Sequence, residues 1–448
     1  MCIRDRHEVD VVDANGEGLS AEGVARRVEE LGARLAAVMV YGQHPSASTQ
    51  MMTAAGEICR ALREVGGVKI ALGGLHPSAL PEQTLREEAV DFVVQGEGFY
   101  SLLGLSEELR AGTQRWARVP GVWYWEDGGI THSEAAPLLA GAEWPMAAWD
   151  LLPMRLYRAH NWHCLDDLAR RRPYAALYTS FGCPFSCEFC CVNVPYGGAG
   201  VRYRAPEKVV AELEHLAETY GVYRVKLCDE LFVLKPAHYL GVARAVRERG
   251  LELHAWAYAR VDTLDRAALG ELRAAGIRWL ALGFESASQN VRAAVAKEFR
   301  ASMHEAAAMV RDAGIWLMGN FIFGLPEDTL ESMEATLELA LELQCEFVNF
   351  YCATAYPGTV LYQRARQAGT RLPPAWHAYA QHAYEFVPLP TRYVSARDVL
   401  AFRDAAFMRY VRDTRYLSHV ERIFGMAARQ YITQLAQQPL RRKMLEEV

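Results

Sequence analysis

Cys183, Cys187 and Cys190 stand in the run Ser180-Phe-Gly-Cys-Pro-Phe-Ser-Cys-Glu-Phe-Cys190, directly after the apolar stretch Tyr174-Ala-Ala-Leu-Tyr178. The spacing is Cys-x3-Cys-x2-Cys, on a loop expected to leave a strand. Thiolates this close in one loop can converge on a single inorganic centre. Three thiolates satisfy three irons of a four-iron cluster and leave the fourth iron open, free to hold a ligand and pass it an electron. The alternative for the same residues is a structural zinc with Cys191 as fourth ligand. Zinc sites of that kind usually pair two short hooks across a spacer. No second hook follows here, and the side chains of the adjacent Cys190 and Cys191 would diverge.

With Phe189 just before the last cysteine, the loop resembles the signature of the radical S-adenosylmethionine (SAM) superfamily. The resemblance implies a [4Fe–4S] cluster on Cys183, Cys187 and Cys190, with SAM chelated at the open iron and cleaved by one electron to a 5′-deoxyadenosyl radical. It also implies an external one-electron donor such as flavodoxin or ferredoxin.

Residues 174–179, 224–228, 252–258, 279–284, 316–323 and 347–352 read as strands, separated by helical periodicity over stretches such as 206–220, 236–249 and 329–343. Six β/α units in a row imply a parallel sheet, whose length suits the partial six-stranded barrel of that family. In such barrels function gathers at the C-terminal strand ends. Those ends carry Asp229-Glu230, whose carboxylates the resemblance assigns to the SAM ammonium, and Arg260, assigned to its carboxylate. They also carry Glu285-Ser286 in Gly-Phe-Glu-Ser, assigned to the ribose and methionine groups. Asn320 lies in Gly319-Asn-Phe-Ile-Phe-Gly-Leu-Pro-Glu-Asp-Thr329, similar to the segment that holds adenine, and Tyr356-Pro-Gly-Thr359 is another recurrent family turn. Each has a bland counterpart, since Asp, Ser and Thr at such positions also cap helices.

The N-terminal part alternates too. Strands are expected at 9–12, 35–41, 68–73 and 92–95, with helices at 21–31, 53–65 and 80–89, a doubly wound Rossmann-like layout that binds ligands at strand ends. Gly73-Gly74-Leu-His76-Pro-Ser78, followed by Gln95-Gly96-Glu97-Gly98, resembles the cobalamin-binding domain fused ahead of many radical SAM barrels. The resemblance assigns Gly73, Gly74, His76, Ser78, Gly96 and Glu97 to the corrinoid, present as methylcobalamin. His76 or His44 as a cobalt ligand competes with a hydrogen-bonded scaffold role, and the scaffold role is preferred. The first strand of that fold and its Asp-x-His-x-x-Gly loop are expected before residue 9 and are absent. The opening Met1–Arg6 resembles translated adaptor sequence, so the natural protein is expected to begin further upstream.

The expected organisation is an incomplete cobalamin-binding-like domain (1–115), a hairpin and linker (116–170), the barrel (171–370) and a C-terminal helical region (371–448). In the last, 396–413 and 419–438 show helical apolar spacing. They read as helices capping the barrel or, with Tyr351, Tyr356, Trp376, His377, His382 and Tyr384, as a substrate lid. Arg441-Arg-Lys443 reads as a solvated helix face. The composition is that of an ordinary globular protein, with 51% hydrophobic and 23% charged residues. A net charge of −6 argues against a nucleic-acid surface. No apolar run reaches membrane-span length, and no signal peptide is visible. Ten cysteines then read as reduced cytoplasmic thiols. The expected function is a cobalamin-dependent radical SAM methyltransferase acting on an unactivated carbon of a small-molecule substrate. The alternatives are an oxidative cyclase or rearrangement enzyme using cobalamin in a redox role, and a non-enzymatic cysteine–metal scaffold. A methylthiolating enzyme of transfer RNA is disfavoured, because no second cysteine set and no basic RNA-binding module is present.

Overall fold

The computed structural model describes residues 3–41, 46–438 and 440–447; His44 falls outside them. Three parallel strands, β1 (Leu35–Val40), β2 (Lys69–Gly74) and β3 (Phe92–Val94), form the N-terminal sheet in chain order. Leu35 registers with Lys69, and Ala71 with Phe92. β2 and β3 are almost wholly buried, as expected of parallel strands covered on both faces. Helix Ala47–Val65 supplies Met52, Cys59 and Leu62 to the core beneath them.

Two expectations are corrected here. The hairpin β4 (Val122–Glu126) and β5 (Gly129–His132), read as linker, continues this sheet, with β4 antiparallel to β3. Residues 9–12 form no strand. β1 is the sheet edge and pairs only with β2 among the described residues, so the segment does not add to it. Its following Asp13 instead caps a single helical turn, accepting from the Gly16 amide at 2.8 Å, and accepts from the Tyr157 hydroxyl at 2.7 Å.

The second sheet contains β6 (Tyr174–Leu177), β9 (Arg224–Leu227), β10 (His254–Ala259), β11 (Ile277–Glu285), β12 (Trp316–Phe323) and β13 (Phe347–Cys352), all parallel and in chain order. A short antiparallel pair, β7 (Ser180–Phe181) and β8 (Arg202–Tyr203), branches from the end of β6. Helices Pro206–Tyr220, Pro236–Glu248, Arg266–Ala274, Met303–Asp312 and Leu330–Leu343 make the crossovers. The core is apolar on both faces of the strands, with Trp256, Trp279, Phe284 and Phe321 fully buried.

β6 and β13 are the two edges of this sheet, which stays open between them. The free edge of β13 is satisfied by side chains. Gln381 pairs with both backbone groups of Cys352 at 3.0 Å, and Arg403 donates from Nε to the Phe350 carbonyl at 2.8 Å. Helix Ala396–Arg412 packs along it. The stretch 419–438, expected as one helix, is two: Thr414–Phe424 and Met426–Leu435. Gly425 between them has φ 85°, a left-handed backbone that ends the first helix. No helix among the described residues is long and apolar enough to cross a membrane.

Where β2 ends, Gly74 has φ 129°, and a Cβ there would stand 2.4 Å from the Val40 carbonyl oxygen. Gly74→Ala is therefore expected to destabilise the chain by about 2 kcal/mol or more, read as a lower urea midpoint. Parental stability would show that β2 can move away from β1.

Candidate active site

The cysteine loop is fixed from both ends. Behind it, Asp229 is fully buried and accepts from the Thr179 amide and hydroxyl, both at 2.6 Å, and from the Ser180 hydroxyl at 2.5 Å. Gly182, at φ 88°, admits the close approach of Gly200, whose carbonyl a Cβ would meet at 2.4 Å. In front, Asn193 accepts from the Cys183 amide and donates to the Cys183 and Phe185 carbonyls, each at 3.0 Å. The Cys190 amide closes a turn onto the Cys187 carbonyl at 3.0 Å. Burial raises all three thiols above their ordinary range; at Cys187 the charges of Lys297 and Arg260 work against that rise. Among the described residues no three His, Cys, Asp or Glu side chains converge on a single-ion site. A cluster does not require that, since each thiolate takes its own iron. Cys191 is buried, and burial pushes its thiol up to about 12.

A cavity of about 1600 Å³ opens above the loop and extends into the barrel. Of the residues assigned to SAM, Glu230, Arg260, Glu285 and Asn320 line it, whereas Asp229 and Ser286 do not. Asp229 spends its carboxylate on the turn just described. Ser286 is fully buried behind the strand, 3.2 Å from the Thr336 hydroxyl. Glu230 accepts from the Gly182 amide at 3.1 Å, and burial raises its carboxyl to about 8. Arg260 forms a two-pronged pair with Asp262 (2.8 and 3.1 Å), and its guanidinium lies 3.8 Å above the Phe185 ring. Glu285 sits at a register shift of β11 with φ 61° and pairs with Lys297 at 3.0 Å. A non-glycine residue held at positive φ marks stored strain. Asn320 accepts from the Asn349 amide at 3.0 Å. The Gly-Leu-Pro-Glu-Asp-Thr segment serves as a helix start: Asp328 accepts from the Gly324 and Leu325 amides, and Thr329 with Ser332 forms a capping box. Thr359 likewise caps Val360–Gln367.

On the N-terminal side, Glu97 lines the cavity and pairs with Arg202 of β8, whose Nη1 also donates to the Leu139 carbonyl at 2.6 Å. One carboxylate thus joins the end of β3 to the hairpin beside the cysteine loop. Gly96 has φ 101°, and its amide donates to the Ser78 hydroxyl at 3.0 Å. Gly73 and Gly74 lie at the end of β2, under Met39 and Val40. His76 is buried between the Thr49 hydroxyl (3.2 Å) and the edge of Trp376 (ring centroids 4.5 Å), outside the cavity lining, and burial lowers its pKa to about 4. That is the scaffold arrangement. Of the lid candidates, Tyr351, Tyr356 and His382 line the cavity; Trp376 packs on His76, His377 pairs with Glu385 and Tyr384 with Glu446. Sequence reasoning missed Asn193, Arg202 and Lys297. An Asn three residues past the last cysteine is a recognisable signal, because Asn bonds to nearby backbone. Arg202 and Lys297 carry none, since only the fold brings them to their partners.

The family model of the Radical SAM superfamily matches residues 177–340, and that of the B12 binding domain matches residues 1–105. An uncharacterized methyltransferase of Pyrococcus horikoshii is 28% identical over 381 residues, 84% of this chain and 79% of that protein. The anaerobic magnesium-protoporphyrin IX monomethyl ester cyclase of Cereibacter sphaeroides is 28% identical over 366 residues, 79% of this chain but 57% of the cyclase. The radical SAM methyltransferase TsrM of Kitasatospora setae shares the fold. Its structure with cobalamin and a [4Fe–4S] cluster aligns at TM-score 0.67 and 20% identity, over 83% of this chain and 71% of TsrM. Its structure with tryptophan and a SAM analogue aligns at TM-score 0.68 and 18% identity, over 99% and 92%.

Asn193→Ala leaves the Cys183 amide without its partner. Iron bound after anaerobic reconstitution is expected to fall to about half or less, with unchanged circular dichroism, the loss of one buried loop anchor; full iron retention would mean the loop holds itself. His76 sets a pH dependence. Its folded pKa lies below the unfolded value near 6.5, so its neutral form supports stability above that pH, and the support drains away as pH falls toward about 4. The effect is about 3 kcal/mol at most. The gap in melting temperature between parent and His76→Gln should narrow from pH 7 to 4.5, and a constant gap would contradict the burial argument.

Proposed function

We propose that the chain, whose residues 177–340 match the Radical SAM superfamily model and residues 1–105 the B12 binding domain model, is a cobalamin-dependent radical SAM methyltransferase acting on an unactivated carbon of a small molecule. The observation that carries this reading is one cavity bounded at once by Cys183, Cys187 and Cys190, by Glu230 and Glu285 at strand ends, and by Glu97 and Phe99 of the N-terminal domain.

The residues present fit the groups this function needs. Three thiols from one anchored loop suit a [4Fe–4S] cluster. Glu285 offers carboxylate oxygens to an ammonium, as does Glu230, whose raised carboxyl such a cation would draw down; Arg260 offers a guanidinium to a carboxylate, and Asn320, in the segment the resemblance assigns to adenine, lines the cavity. On the N-terminal wall, Met39, Tyr41 and Phe99 are left 38–48% exposed toward the cavity, an apolar shelf suited to the face of a corrin ring. When bound, these groups supply one-electron cleavage of SAM and a transferable methyl group, with the electron delivered by an external donor of flavodoxin or ferredoxin type. The chain's own part is binding and exclusion of water. Lys297 holds the strained Glu285 carboxylate at the cavity wall, and the Gly182 amide holds one oxygen of Glu230. Arg260 and Lys297 favour the thiolate of Cys187. The Glu97–Arg202 pair fixes the distance between the N-terminal shelf and the cysteine loop, which alignment of two reacting partners demands.

The likeness to the cyclase favours one second reading, in which the same cavity supports oxidative ring closure without methyl transfer. Anaerobic reconstitution with iron, sulfide and hydroxocobalamin, followed by desalting, tests the assignment. Parent protein is expected to retain both iron–sulfur and corrinoid absorbance, while Cys187→Ala loses the former. With reductant and substrate present, formation of both 5′-deoxyadenosine and S-adenosylhomocysteine supports methyl transfer. 5′-Deoxyadenosine alone would move the reading to the cyclase class, and a protein that binds zinc but no cluster would end both.

A further inference from the structure

Side chains along β9 alternate between the helical layer and the inside of the sheet. Val225 and Leu227 face Leu213 and Val242 of the crossover helices. Lys226, between them, faces the other way and lines the cavity. It stands one inward position before Cys228, and so deeper in the barrel than Glu230 and the cysteine loop. Its register partner on β6 is Ala176, a small residue exposed to the same cavity, and its partner on β10 is Trp256. Below this level Trp162 stacks on Phe347, with centroids 5.5 Å apart and planes 9° from parallel, and meets Trp256 edge-on. The barrel therefore has an aromatic floor with a lysine set into it.

Lys226 is only 7% exposed. Its ammonium lies 5.0 Å from the centroid of the Trp256 ring and 5.6 Å from that of Tyr258. Ring faces attract a cation without cancelling its charge. The histidines around it add no second charge at neutral pH. Burial pushes His160 and His254 down to about 4, and burial followed by the charge of Lys226 pushes His163 well below the ordinary range. Nε1 of Trp256 is a buried donor with no hydrogen-bond partner among the described residues. Other polar groups of the lining are engaged with each other: Asn349 donates to Asn320, Gln381 holds the Cys352 backbone, and Arg403 pairs with Asp404. In a water-poor chamber of this kind an ammonium attracts an anionic oxygen far more strongly than it would in solvent.

We infer that Lys226 anchors the substrate: the molecule acted on carries a carboxylate, which pairs with the Lys226 ammonium at the floor of the barrel. The carbon to be methylated then points up toward the cysteine loop. The inference rests on the reading of the cavity as a reaction chamber and names the substrate class for it. One ammonium among neutral histidines balances one negative charge, which suits a carboxylate; a phosphate dianion would keep a second charge unmatched in a poorly hydrated place. The carboxylate of SAM has a different partner, since Arg260 follows the end of β10, beyond Tyr258, whereas Lys226 is level with Trp256 inside the sheet. Fixing one end of the substrate at the floor sets the height of its reacting carbon, which is the alignment the reaction demands.

The test uses the full chain without cofactors and three probes built on one ring system, 2-naphthylacetate, 2-naphthaleneethanol and 2-naphthyl phosphate, measured by equilibrium dialysis. The parent is expected to bind the carboxylate about tenfold or more tighter than the alcohol, and the phosphate no tighter than the carboxylate. Lys226→Met should erase the preference by weakening the carboxylate alone, with the alcohol bound as before. Lys226→Gln is the second variant should methionine disturb folding by circular dichroism. Arg260→Gln should keep the preference. Binding of none of the probes by the parent, equal affinity for carboxylate and alcohol, a preference that survives both Lys226 variants, or one lost in Arg260→Gln would each overturn the inference, and so would tighter binding of the phosphate. Because the measurement needs no cofactor, it fails independently of methyl transfer: a chain with a Lys226-dependent preference that forms no S-adenosylhomocysteine keeps the anchor and loses the proposed reaction.

Discussion

One buried carboxylate holds the turn on which the site depends. Asp229 takes three short hydrogen bonds from Thr179 and Ser180, and the Thr179 hydroxyl, having given its proton to Asp229, accepts from His238 Nε2 at 2.8 Å. Burying an ion this deeply costs several kcal/mol unless donors surround it. Here burial raises the Asp229 carboxyl while the bonds from Ser180 and Thr179 work against the rise. The benefit is geometric. The end of β6 is locked to the end of β9, so the cysteine loop leaves the sheet in one direction. β7 and β8 carry that direction to Arg202, and Arg202 carries it to Glu97 at the end of β3. The separation between the two domains' ligand-facing ends is thereby set through a chain of polar contacts, since loops alone would leave it loose.

The second constraint is the open sheet. Six strands leave two edges that a closed barrel would not have, and an unprotected edge invites pairing with another chain. At β13 the solution is Gln381 and Arg403 on the backbone, with helix Ala396–Arg412 laid alongside. Side chains can satisfy an edge without filling the gap. The sheet therefore stays open between β6 and β13 among the described residues, while backbone groups at the β13 edge are met by Gln381 and Arg403.

The elements that could be read from the sequence are those with strong local periodicity. All six strands of the second sheet lie within a few residues of their expected bounds, because parallel strands buried on both faces are near-continuous apolar runs such as Trp279-Leu-Ala-Leu282. Residues 9–12 show the same composition in miniature, but they do not pair with the edge of β1, and Asp13 just after them is held by the Gly16 amide and the Tyr157 hydroxyl. Gly425 was passed over because apolar spacing runs on either side of it, and a left-handed break is invisible to spacing. At the site, the cysteine loop's position just after a strand was legible from the apolar run before it. Asp229 and Ser286 misled because strand-end polar residues look alike in sequence whether they face the cavity or the fold. Lys297 and Arg202 were silent because an ion pair between residues distant in sequence leaves no local pattern.

The charges around Cys187 come in matched pairs. Arg260 is joined to Asp262 and Lys297 to Glu285, all in or beside one cavity wall; Arg260, Lys297 and Glu285 are buried and Asp262 is exposed. A buried ion pair such as Lys297–Glu285 gives little net stability, and at Glu285 the backbone is strained as well. Such an arrangement is better understood by what it does to a ligand. A singly charged ligand would take one partner from a pair and strand the other in a poorly hydrated place, at the cost of an uncompensated charge. A ligand carrying an ammonium and a carboxylate side by side can engage a carboxylate and a guanidinium together, and every charge remains matched. The methionine part of SAM is a zwitterion of that kind. The paired residues thus favour the proposed ligand through charge balance, over and above any single contact with it.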